Sequence, residues 1–144
     1  TKHYTKFNDK DLKADKIIIC GTSLKDDDFL NYIEKFEWLK IYNKPVLGIC
    51  GGMHVIGMIF DGILKDGKEI GFYFENFDRG FLGLNKKQEV YHLHGKYVDF
   101  SDEFEIFNNG EIPQAVKYKT KPIYGVLFHP EVRQKKLLEY FCNL

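Results

Sequence analysis

The sequence predicts an α/β fold, a three-layer α/β/α sandwich with a mostly parallel central sheet, and three observations predict it. Two short continuous apolar runs, Lys16–Cys20 and Pro45–Ile49, each end in a glycine-containing turn, as strands buried on both faces do. Between them Asp26–Tyr42 places Phe29, Ile33, Phe36, Leu39 and Ile41 at helical spacing. The second run passes through Gly48-Ile49-Cys50-Gly51-Gly52 into another helical stretch. Strand, helix, strand and helix in that order imply parallel pairing.

Element by element, Thr1–Asp15 is mostly polar, whereas a sheet of this kind normally opens on a buried strand and helix. The expectation is an N-terminal strand–helix unit outside this sequence, or an unusually reduced protein. Lys16–Cys20 follows as a strand, with Cys20 assigned to the core. Asp26-Asp27-Asp28 stand at the start of the first helix, where carboxylates complement the helix dipole better than they would hold a metal. Val46–Ile49 is the next strand and Met53–Phe60 the next helix. From Ile63 to Val98 the glycines at 67, 71, 80, 83 and 95 punctuate aromatic and β-branched runs, and Glu69–Glu75 and Val90–Leu93 read as hairpin strands. Tyr73, Phe74, Phe77 and Phe81 are assigned to core or to a partner-facing surface. Gln114–Tyr118 and Ile123–Phe128 form a second strand pair around Thr120-Lys121-Pro122. Arg133–Leu144 closes the chain as a helix with Leu137, Leu138 and Phe141 on one face.

Composition narrows the function classes. At 144 residues the sequence is read as a single domain spanning 1–144, with 44% hydrophobic and 16% aromatic residues. Twenty-one basic and 21 acidic residues balance, which leaves no electrostatic footprint for nucleic acid. No apolar run reaches membrane-spanning length and no signal peptide is read, so neither membrane nor secretion is expected. Three cysteines without metal-ligand spacing fit a reducing, cytoplasmic setting, and no phosphate loop or zinc pattern is present; no cofactor and no metal are expected.

The chemistry-bearing stretch is Gly48-Ile49-Cys50-Gly51-Gly52, a G-x-nucleophile-x-G elbow with cysteine as nucleophile. Its glycines are needed because the strand-to-helix turn is too tight for neighbouring Cβ atoms. The following helix aims its N-terminal amides at the sulfur, where negative charge is stabilised. Phe128-His129-Pro130-Glu131-Val132 supplies a base and an orienting carboxylate, with Pro130 stiffening the turn between them.

Four motifs in order then resemble a class I (triad) glutamine amidotransferase domain. They are Ile17-Ile18-Ile19-Cys20-Gly21-Thr22, Lys44 to Met53 around the elbow, Tyr91-His92-Leu93-His94-Gly95, and Tyr124 to Val132 around the base. The resemblance runs from about Asp15 to Glu131, its histidine-glycine and base motifs being most similar to the glutaminase part of GMP synthetase. It implies a flavodoxin-like topology and a Cys50–His129–Glu131 triad. It also implies oxyanion-hole amides at Gly21 and Gly51, and substrate contacts around Gly48, His54, His94 and Gly95. L-glutamine would be the substrate, and ammonia would pass to an ATP-dependent partner synthetase, on a separate polypeptide or on a part of this one outside the sequence. Anthranilate-type, carbamoyl phosphate and CTP synthetases remain alternatives to GMP synthetase as that partner.

The chain departs from the family pattern in places. His54 stands where Gln is usual, and Gly51 replaces a bulkier residue, which is expected to open the pocket mouth. Cys20-Gly21-Thr22-Ser23 replaces Ser-Gly-Gly-Pro, and Lys96 follows the His-Gly pair where the GMP synthetase branch has Asp. Two other readings therefore stand beside the amidotransferase: a stand-alone γ-glutamyl hydrolase, and a diverged binding or regulatory homologue. His94 divides between substrate wall and strand packing, and His54 between pocket lining and helix packing; His92 is read as structural.

Overall fold

The protein is described from a computed structural model that covers residues 1–21 and 28–144. Its centre is a five-stranded sheet of β1 (Ile17–Ile19), β2 (Val46–Ile49), β5 (Phe104–Ile106), β6 (Ala115–Tyr118) and β7 (Ile123–Val126), in the order β1-β2-β7-β6-β5. β1, β2 and β7 run parallel, and β6 and β5 continue the sheet antiparallel. β3 (Ile63–Phe81) and β4 (Leu84–Asp99) form a separate long hairpin. Among the described residues the α-helices are α1 (Gly51–Ile59) and α2 (Lys135–Cys142).

Alternation along the central strands sorts the core into two halves. Val46, Val116 and Ile123 face α1 and the segment Asp28–Lys40, joining Phe36, Leu39, Met53 and Ile56. Leu47, Ile49, Ala115 and Val126 face the other way, against Phe77, Leu84 and Val90 of the hairpin and Leu137 and Phe141 of α2. The outer layer on this second face is thus a hairpin plus a helix. Leu82 and Gly83 both have positive φ (44° and 82°) at the hairpin tip, the backbone hand that matches strand twist in a two-residue turn.

Several expectations are corrected. Among the described residues β1 is an edge strand, not one buried on both faces: there it pairs with β2 alone, and Ile18 is 39% exposed. Cys20 at its end is exposed rather than core. The segment Asp28–Lys40 is wound as 3₁₀ turns with a non-helical Tyr32 (φ −127°), not as an α-helix. The physical reason is legible afterwards: Leu30, Ile33, Phe36, Leu39 and Tyr42 repeat every three residues, and all pack against the core. A three-residue period keeps one face inward only in a 3₁₀ helix. The expected helix start at Asp26-Asp27 lies outside the described residues. The polar N-terminus packs through a few aromatics, with Phe7 stacked on Trp38 at 4.7 Å and Tyr4 beside Phe36 at 5.6 Å. The hairpin, the β6–β7 pair and the terminal helix form as expected, whereas β5 has no counterpart in the sequence expectations. Phe77 and Phe81 are buried, whereas Phe74 is exposed.

Candidate active site

Register brings the two chemical motifs together. β2 and β7 are adjacent and parallel with Ile49 opposite Val126, so Cys50 and Leu127 leave the sheet side by side at its carboxyl edge. Cys50 N–H donates to the Val126 carbonyl at 2.8 Å, and His129 lies two residues beyond Leu127.

Cys50 has φ 52° and ψ −107°, a conformation that costs energy for any residue with a Cβ and that clusters at functional sites. It is also the residue from which α1 springs. The elbow needs its glycines: a Cβ on Gly52 would stand 2.0 Å from the Ile19 carbonyl oxygen, and one on Gly48 would stand 2.6 Å from the Gly52 backbone. Gly48 is therefore placed as a packing residue between β2 and α1. Gly21 closes over the elbow from β1, its own missing Cβ lying 3.0 Å from Cys50 Cβ and 3.3 Å from Gly51 N. The loop Thr22–Ser23 lies outside the described residues. Beside Gly51 a Cβ would meet the Phe29 ring at 3.5 Å, so Phe29 takes up part of the space expected to be open. A cavity of about 530 Å³ lies on this side, walled by Gly21, Phe29, Gly51 and Val55 and by Thr1–Tyr4.

His129 is held by its backbone N–H to the Tyr91 carbonyl (2.8 Å) and by its side chain to Glu131. Nδ1 lies 2.6 Å from Glu131 Oε1, which assigns the proton to Nδ1 and leaves Nε2 as the working nitrogen. The neighbouring Cys50 sulfur first, and the Glu131 carboxylate second, push His129 up to about 10 against the opposing effect of burial. Burial acts to raise Glu131, but the His129 hydrogen bond and charge and its own backbone N–H outweigh it and leave the carboxyl below its usual range. Nε2 is buried with no completed hydrogen bond among the described residues, and the Cys50 thiol is turned instead to the Leu93 carbonyl at 3.6 Å.

β4 forms the remaining wall. His54, one turn into α1, is buried and pairs through Nε2 with the Lys96 carbonyl at 3.1 Å, tying α1 to β4. Burial, helped by His94, pushes its pKa down to about 4 despite that hydrogen bond. His94 is buried and its Nε2 lies 3.0 Å from Glu69 Oε1, so it faces the hairpin interior. Gly95 lies opposite the register shift between Asp66 and Glu69. His92 is fully buried on the same face as His94, with Nε2 3.1 Å from Glu75 Oε1. Glu69, His92 and His94 each offer a ligand atom within 4.8 Å of the others, a group able to hold a metal ion that sequence spacing did not reveal. The alternation His92-Leu93-His94 was the available signal; the hairpin register that adds Glu69 was not readable. Leu93 was missed because it contributes a backbone carbonyl.

Comparisons with known proteins place the chain in a family. The model of the family described as glutamine amidotransferase class-I matches residues 1–142. The glutamine-hydrolyzing GMP synthase subunit of Methanobrevibacter smithii is 32% identical over 104 residues, 67% of this chain and 55% of the relative. Imidazole glycerol phosphate synthase subunit HisH 1 of Campylobacter jejuni is 29% identical over 95% of this chain and 85% of its own length. A structure described as a GMP synthase subunit from Thermoplasma acidophilum superposes with TM-score 0.82 at 22% identity, over 90% of this chain and 71% of that one. The chain spans between 24% and 64% of the first GMP synthase relatives it matches. Since that family model matches nearly the whole of the sequence, the chain belongs to the class-I glutamine amidotransferase family.

Proposed function

We propose that the protein is a glutaminase that hydrolyses L-glutamine to glutamate and ammonia and delivers the ammonia to an ATP-dependent synthetase partner. The observation that carries this reading is the placement of a strained cysteine, φ 52°, beside a histidine whose other nitrogen lies 2.6 Å from a carboxylate. Cys50 Sγ attacks the side-chain carboxamide carbon. The thiol proton passes to His129 Nε2 and from there to the leaving nitrogen, so that ammonia departs and a γ-glutamyl thioester remains. His129 then takes a proton from water, whose oxygen attacks the thioester; glutamate leaves and the thiol recovers its proton. Glu131 stabilises the imidazolium and fixes its tautomer without being protonated. The oxyanion is received by the Gly51 amide at the start of α1 and by the Gly21 loop, each such donor contributing on the order of 100-fold in rate.

GMP synthetase is the favoured partner because GMP synthase is the name that recurs among the relatives, and HisH 1 belongs to a different synthase. The test is mass spectrometry after exposure to an electrophilic glutamine analogue, with Cys50→Ala as control and glutamine as competitor. One adduct on Cys50 that glutamine blocks is the expected result. An adduct that glutamine does not block would replace glutamine by another γ-glutamyl compound. No adduct, alone or with the ATP-binding part of a GMP synthetase added, would overturn the reading.

A further inference from the structure

We propose that Glu69, His92 and His94 form a binding site for one divalent transition-metal ion of the zinc type, which clasps the β3–β4 hairpin beside the candidate active site.

The topology places the three side chains together. Glu69 and His94 are directly opposed across the hairpin, and His92 lies two residues from His94, so both imidazoles project from the same face of β4. His92 is 0% and His94 2% exposed, on the side of the hairpin that is covered. One donor atom from each of the three lies within 4.8 Å of the others, and His94 Nε2 is already 3.0 Å from Glu69 Oε1. Two ligands on a tetrahedral zinc stand about 3.4 Å apart, so His92 has to close by at most roughly 1.5 Å on the other two, through side-chain rotation.

On each imidazole the hydrogen bonding leaves one nitrogen without a partner among the described residues. Nδ1 of His92 and Nδ1 of His94 are both buried and have no partner among the described residues. A buried polar atom left unpaired costs about 1–3 kcal/mol, so the His92 Nδ1 lone pair calls for a ligand, and His94 meets the same ion through Nε2, the nitrogen that faces Glu69. For His92 the tautomer is fixed from outside: Nε2–H donates to Glu75 at 3.1 Å, which leaves the Nδ1 lone pair free. A carboxylate behind a histidine is the usual support of a metal-ligating imidazole. Gln114 plays a similar part for Glu69, donating Nε2–H to Oε1 at 2.9 Å.

Two imidazoles and a carboxylate suit zinc, and three protein ligands leave a coordination position for water. The consequence is mechanical. Leu93, between the two histidines, presents its carbonyl to Cys50, and Gln114 is anchored to the central sheet through its carbonyl to Leu127 N–H at 2.9 Å. An ion here would fix the hairpin on the sheet at the point where β4 crosses the elbow.

The test is titration of the full Cys50→Ala chain with cobalt(II), followed by visible absorption, with zinc counted by equilibrium dialysis. Expected are one equivalent of either ion and a cobalt d–d spectrum without a thiolate charge-transfer band, since Cys20 and Cys142 are exposed whereas both histidines are buried. His92→Gln should weaken binding by roughly 100-fold or more. Glu69→Gln, which keeps the shape of the side chain, should weaken it as well and serves if the histidine variant does not fold. No saturable binding, a thiolate band, or affinity unchanged in a folded variant would overturn the proposal.

Discussion

Cys50 Sγ points at the backbone carbonyl of Leu93, 3.6 Å away, and this contact joins two parts of the protein built by different rules. Cys50 belongs to the central sheet, where parallel pairing and a glycine-lined turn fix its backbone. Leu93 belongs to the antiparallel hairpin, whose inner face carries His92 and His94. The thiol therefore rests against β4, and chemistry requires it to turn from that carbonyl toward His129.

Glu131→Gln keeps the side chain's size and removes the charge 2.6 Å from His129 Nδ1. Glutamine hydrolysis should fall by about 10²–10⁴-fold in kcat with little change in KM. Alkylation of Cys50 by iodoacetamide at neutral pH should slow in parallel. Steady-state kinetics with unchanged kcat would remove Glu131 from the triad.

Gly52→Ala should prevent stable folding, because the added carbon would lie 2.0 Å from a backbone oxygen that has no side-chain freedom to escape. Gly48→Ala meets backbone and Ile56 at 2.6 Å and should cost about 3 kcal/mol or more. Urea denaturation measures both, and a loss below about 1 kcal/mol in either would show that the elbow relaxes more than its geometry indicates.

His54 gives a pH dependence whose sign can be worked out. Its folded pKa is pushed from 6.5 to about 4 by burial first, with His94 and the Lys96 charge adding to it and the Lys96 carbonyl opposing. Between those values the unfolded chain binds more protons, so His54 contributes stability that is complete above about 6.5 and is lost as pH falls through about 4. The full contribution is on the order of 3 kcal/mol. Denaturation midpoints at pH 7 and 5 should differ less in His54→Gln than in the parent, and equal differences would contradict the assignment.

Asp61→Gly should stabilise the protein by about 0.5–1 kcal/mol. Asp61 is exposed and holds φ 68° just beyond α1, with its N–H on the Met58 carbonyl and the Gly62 N–H on the Gly57 carbonyl. This double return is a helix ending that favours glycine at that position. A lowered melting temperature would show instead that the Asp61 side chain stabilises the turn.

The elbow and the base were legible because their chemistry is local: a glycine pattern forces a tight turn, and His129 with Glu131 span only three residues. The strands β2 and β7 were legible for a similar reason, since continuous apolar runs bounded by glycine and proline leave few alternatives. Asp28–Lys40 was misread because Phe29, Ile33 and Phe36 satisfy a 3.6-residue period, while the repeat from Leu30 to Tyr42 satisfies a 3.0-residue one. Periodicity over 13 residues does not choose between the two, and packing against α1 does. Cys20 was assigned to the core because an apolar run does not reveal that its strand lies at a sheet edge.

By itself the sequence determined an α/β chain with a cysteine elbow and a histidine–carboxylate pair, because backbone sterics and short-range spacing settle those features. Only the tertiary structure decided that β2 and β7 are neighbours, which sets Cys50 beside His129. It alone also decided that Glu69 opposes His94, which turns two buried histidines into a three-ligand cluster. Both depend on strand register across many intervening residues, and register is fixed by the packing of whole faces rather than by any local run of side chains.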